Sequence, residues 1–313
     1  MIRTERSSWI VKFLAVVRYE MLWNIRKKKF YGILIVAFAL ATLALAAGYI
    51  QGSITGNPIE LNPDFVIDSN VGLGGFGFFL FAIATVMNSI SGEFETGTIV
   101  PLLAKPVSRT TIFLGKLFAA FLILLVTYSF LMTYMTIGGL VIYGPQNNLH
   151  LVPLSLLGAL FSTLIWVSIV LLFGTLFRSS LIAALGALGI WLGTNIIGSI
   201  IGVLAGQGWI LTFIPGSGNS GSVGGNPLLG TPVSTGTDSI GLNLINYILH
   251  PSWNVTYYKL DVNQISQGTP VWEALNTEPL SNVIFTSIAV ALIYFFVFIT
   301  ISWFVFRRAQ ITE

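Results

Sequence analysis

Six long stretches of this chain carry no Asp, Glu, Lys or Arg: Phe30 to Ile50, Val71 to Ile90, Leu117 to Tyr143, Leu151 to Phe177, Ser179 to Ala205 and Val283 to Phe306. Each reaches the length of about 20 apolar residues that a helix needs to cross a bilayer. Backbone amides in lipid have no water to bind, so such runs fold as helices. With 54% hydrophobic and 9% charged residues in 313, too little polar surface exists to coat a soluble globule of this size. The expected fold is an all-α integral membrane protein with six transmembrane helices.

The basic residues orient it. Fourteen of the 15 fall on one side of the six runs: eight between Arg3 and Lys29, then Lys105, Arg109 and Lys116, then Arg178, and finally Arg307 and Arg308. Only Lys259 lies opposite. Because Lys and Arg collect in short cytoplasmic loops, both termini are expected in the cytoplasm of a multi-pass cell-membrane protein. The net charge of +3 hides this polarity and marks no nucleic-acid surface. Residues 1–29 form an N-terminal cytoplasmic region, in which Ile10, Phe13, Leu14, Val17, Met21 and Ile25 share one helical stripe while Lys12, Glu20, Arg26 and Lys27 lie on the other side. That pattern predicts an amphipathic helix in the membrane interface. A 29-residue polar lead and an apolar run longer than a signal core make the Phe30 run an uncleaved anchor.

Between the second and third runs lies a connector, residues 91–116, reading SGEFETGTIVPLLAKPVSRTTIFLGK. Glu93 and Glu95 sit where a helix emerges, Gly97 and Thr98 make a turn, and Leu102 with Leu103 forms an apolar knob. Lys105 follows, Pro106 stops that short segment, and Ser108 is placed to cap the helix that begins at Arg109. In order and spacing these residues, with Gly115-Lys116, resemble the connector after the second span of type-2 ABC exporter permeases. The resemblance covers essentially the whole chain. It implies an amphipathic elbow helix, a cytoplasmic coupling helix that touches the ATPase, separate ABC ATPase subunits holding ATP and magnesium, and a second permease subunit in a homodimer or heterodimer. On that reading Leu102 and Leu103 fill a groove on the ATPase, while Glu93, Glu95, Lys105 and Arg109 orient its rim. A non-transporting membrane scaffold or receptor, with an outer partner-binding segment, is the reading from another class.

The chain has no chemistry of its own to drive transport. A phosphate-binding loop needs G-x-x-x-x-G-K-[ST], whereas Gly115-Lys116 is followed by Leu117 and preceded by Thr110 at the first glycine position. No apolar run holds an ionisable residue of the kind that ion-coupled carriers keep. With no cysteine, and with His150 and His250 isolated, neither a catalytic residue nor a metal site is expected. Met87, Met132 and Met135 read as core fillers before copper ligands.

Two further features remain. The fifth run carries Gly186, Gly189 and Gly193, and on roughly the opposite face Gly198, Gly202 and Gly206. Small residues let helix backbones approach closely, so the second set is expected in helix or subunit packing. Residues 206–282 form an extracellular segment before the last run and the tail, 283–313. Its stretch Gly216 to Pro227 reads as too flexible for strand or helix, and Ile245 to Tyr258 as aromatic chain against the outer membrane face. Asn254-Val255-Thr256 is an N-glycosylation sequon.

Overall fold

The computed structural model describes residues 8–26, 28–56, 62–67, 74–99, 107–204, 208–218, 220–224, 230–260 and 272–309. Ten helices are named here: α1 (Trp9–Arg26), α2 (Lys28–Thr55), α3 (Gly74–Val86), α4 (Ser91–Glu95), α5 (Arg109–Tyr143), α6 (Val152–Phe177), α7 (Ser180–Leu204), α8 (Gly208–Leu211), α9 (Ile240–Leu249) and α10 (Leu280–Arg308). Among the described residues, five helices are long and apolar enough to cross a membrane, within α2, α5, α6, α7 and α10. The second apolar run appears as α3, which gives way to a turn at Met87 to Ile90 before α4. The helix of the third apolar run starts at Arg109, as the cap expected at Ser108 requires: the Ser108 side chain accepts from the Thr111 amide at 3.1 Å.

Helix α6 is the mast of the bundle. Ile165, Trp166, Val167, Ser168, Ile169 and Val170 are all buried, so this helix is covered on every side, as a helix apolar all round must be. It packs against α3, α7, α9 and α10. Lipid tails are as apolar as these side chains, so close packing and interhelical hydrogen bonds hold it. One such bond joins Tyr128 Oη of α5 to Thr163 Oγ1 at 2.7 Å; bonds of this kind contribute about 0.6 kcal/mol in membranes. Helix α2 lies at the periphery against α5, tied by the Tyr143 hydroxyl donating to the Leu45 carbonyl at 2.9 Å.

The segment between α7 and α10 departs from the expected all-α fold. It holds a four-stranded antiparallel sheet in the order β2-β1-β3-β4, from β1 (Ser220–Val223), β2 (Thr231–Ser234), β3 (Asn254–Leu260) and β4 (Trp272–Pro279). The glycine-rich stretch read as structureless therefore contains a strand. A β-carbon on Gly221 would come within 2.8 Å of the Thr256 carbonyl, so the missing side chain lets β1 close on β3. Ile245 to Tyr258 splits into the end of α9, a turn and most of β3.

The first half of α9, Ile240 to Ile245, packs inside the bundle, while Tyr247, Ile248 and Leu249 in its last turn are exposed. It crosses α6 where Gly158 meets Gly241, and a β-carbon on Gly158 would stand 2.2 Å from the Gly241 α-carbon. Backbone cannot yield as a flexible side chain does. Gly158→Leu is therefore expected to destabilise the bundle by about 3 kcal/mol, the upper part of the overpacking range. Thermal unfolding in detergent should show it, with Gly186→Leu milder because its neighbour is the Phe173 ring.

Candidate functional site

The connector is a junction. After α4 the chain turns at Gly97, whose φ of +69° is open to glycine and strained for other residues. Glu95, Thr96, Gly97 and Thr98 are exposed, and the Thr96 and Thr98 hydroxyls meet at 2.9 Å. Ile99 is already buried in the core. Leu102, Leu103, Lys105 and Pro106 lie outside the described residues.

Glu93 turns inward instead of toward a rim. Its Oε1 accepts from Lys116 Nζ of α5 at 2.6 Å, and the same Nζ donates to Glu20 Oε1 of α1 at 2.5 Å. Lys116 and Glu20 are buried to 2–3% exposure. Two carboxylates on one ammonium leave a formal charge of −1, so the geometry joins three elements only while all three groups are present. Glu20, expected on the polar side of α1, is instead buried on its inner face beside Val17. Phe13, Val17 and Glu20 face α5, with the Val16 side chain against Gly115, while Trp9, Ile10, Leu14, Leu22 and Trp23 are exposed. An exposed aromatic and aliphatic face still suits a helix in the interface, but its inner face is organised by an ion pair.

Glu95 reaches another helix. Its two carboxylate oxygens accept from the Ser180 amide at 2.7 Å and the Ser180 hydroxyl at 2.6 Å, at the N-terminus of α7. A helix N-terminus offers unpaired amides and a positive dipole end. Those Ser180 bonds hold the carboxyl below its ordinary range. Phe94 completes the junction: the Arg178 guanidinium lies 5.2 Å over its ring, and Phe306 of α10 meets it edge-on. Arg109, expected beside Lys105 at a docking rim, donates through Nη1 to the Arg307 and Ala309 carbonyls at 2.8 Å each. It thereby caps the C-terminal end of α10, where a cation is favourable. The eight residues Ser91 to Thr98 thus touch α1 through Lys116, α5 directly, α7 through Ser180 and α10 through Phe306.

Residues 14–311 match the family described as ABC-2 family transporter protein. The chain belongs to that family. Comparison with curated proteins yields no match. As an ABC-2 permease the chain is a multi-pass membrane component of an ABC transporter, of a family that works with ABC ATPase subunits and has no catalytic site in this component.

The other sequence candidates fall elsewhere. Gly198 packs on Ser217 and Leu211 of its own chain, Gly202 lies within α7, and Gly206 is outside the described residues. Open space instead surrounds Gly189 and Gly193. Asn254 is exposed at the start of β3. Among the described residues, no group of three or more His, Cys, Asp or Glu could hold a metal. Sequence reading missed Glu20, Ser180 and Arg178 as members of the junction. The signal that could have found the first is Glu20 as the sole acid within the α1 segment, Trp9 to Arg26, together with Lys116 immediately before an apolar run.

Proposed function

We propose that this ABC-2 permease is an exporter subunit whose connector receives the stroke of separate ATPase subunits, which carry ATP and magnesium. The observation that carries the reading is the junction at Ser91 to Thr98, where one short cytoplasmic segment is bonded to the ends of several long helices. Displacing α4 pulls Glu93 against Lys116 and Glu95 against Ser180, so α5, α1 and α7 move together instead of separately. Two permease subunits enclose the substrate path. The little-buried α7, with Gly189 and Gly193 open, supplies a flank for the second subunit, and Gly198 braces the same helix toward its own chain. Both termini and the connector are cytoplasmic, with the sheet outside. Export, more than import, follows from the likeness of the connector to that of type-2 exporters.

The test combines sidedness with partnership. The chain has no cysteine, so single cysteines report cleanly. Thr98→Cys is expected to react with an impermeant thiol reagent only after cells are opened, and Ser252→Cys on the exposed outer turn in intact cells. The purified permease should bring with it ATPase subunits that hydrolyse ATP. Labelling of Thr98→Cys from outside, or a permease free of ATPase, would overturn the reading.

A further inference from the structure

The outer segment brings an acid against α3, α6, α9 and α10, which contain none. From β2 the chain passes through Thr235 and Gly236 into a single turn, Thr237–Ser239, that sits against α3, α6, α9 and α10. This wedge is anchored by its carbonyls: Ser162 Oγ of α6 donates to the Thr237 carbonyl at 2.9 Å, and Ser287 Oγ of α10 donates to that of Thr235. Asn243 Nδ2 of α9 donates to the Ser234 carbonyl at 2.7 Å. Asp238 stands beside Trp166, which at 1.5 Å per residue lies about 21 Å along α6 from Val152. Asp238 is half-buried, yet its Oδ1 is sealed from solvent, as is the neighbouring Trp166 Nε1, and the side chains that favour its ionised form are Trp166 and Thr237. The packed stretches 74–86, 152–177, 240–249 and 280–306 contain no Asp, Glu, Lys, Arg or His. The ionisable group facing Asp238 is the Tyr128 phenol of α5, itself bonded to Thr163.

A carboxylate oxygen sealed from water with no cation beside it disfavours the ionised form, whereas a neutral carboxyl in the same place costs less. We propose that Asp238 is a protonation latch, which seats the outer wedge between α3, α6 and α10 when neutral and loosens it toward the outer solution when ionised. Burial pushes its carboxyl from an ordinary 3.8 up to about 7, partly offset by Trp166 and Thr237. A raised value fixes the sign: seating is fully favoured below about pH 4 and is lost as pH rises through about 7. Outer opening of the permease is thereby tied to the pH on that side, independently of the connector.

Ser239→Cys places a reporter one residue from the latch, and Ser252→Cys serves as the exposed reference that corrects for thiol ionisation. In permeabilised membranes containing the full chain, the ratio of their reaction rates with a neutral maleimide is expected to rise at least roughly tenfold between about pH 5 and pH 8.5. Adding Asp238→Asn, which cannot ionise, should hold the ratio at its low-pH value throughout. A flat ratio in the Asp238 chain overturns the latch even if the Asn variant fails to fold. So does an unchanged pH profile in a folded Asn variant.

Discussion

Lys116→Met is expected to cost about 3 to 5 kcal/mol, the loss that follows when a buried ion pair is left with one side charged. Here the penalty is concentrated, because the substitution strands two carboxylates, Glu20 and Glu93, against one another at the buried end of α5. Folded protein recovered in mild detergent should fall severalfold and its unfolding temperature should drop. Adding Glu20→Met and Glu93→Met to Lys116→Met should restore much of that stability, since an apolar cluster of similar volume often equals a buried ion group. Coupling should stay lost in the triple variant: α4 would slide on α1 and α5 without a charge pair to register it. A Lys116→Met single variant as stable as the parent would show that solvent reaches the triad and that it holds nothing together.

Changing Leu102 and Leu103 together to Ser is expected to abolish substrate-stimulated ATP hydrolysis while leaving the bundle folded. Truncating a buried apolar anchor at an interface costs about 2 kcal/mol or more per residue, and a rim charge less. Two anchors together predict a drop of about 700-fold or more in ATPase affinity, at tenfold per 1.4 kcal/mol. Lys105→Ala should weaken binding much less. Glu93 and Arg109 are poor choices for testing the rim, because both are engaged inside the permease. The double Ser variant retaining full ATPase binding and transport would return the connector to a simple loop.

The difference between those two experiments marks where sequence and structure each carried weight. Composition sufficed for the membrane, since a backbone in lipid must bond to itself and long uncharged runs leave helices as the solution. Ser108 as an N-cap and Gly97 as a left-handed turn were legible because both depend on local backbone geometry. The strand hidden in the Gly/Ser-rich stretch was not, because Gly221 sits there for a cross-strand approach to β3 that no local pattern encodes.

What the sequence by itself determined is therefore the set of properties that follow from one segment at a time: the apolar helices, the one-sided distribution of positive charge, the turn and the cap of the connector. Tertiary structure alone decided which charges are functional surface and which are buried joints. Glu20, Glu93 and Lys116 lie up to 96 positions apart, and a charged side chain reads as solvated until its partner is brought within bonding distance. Asp238, in the segment between α7 and α10, is a second case. It lies outside every apolar run and sequence reading did not single it out, yet its turn packs against α3, α6, α9 and α10. Burial is a property of the assembled chain, and the electrostatic cost that gives these residues their roles arises only there.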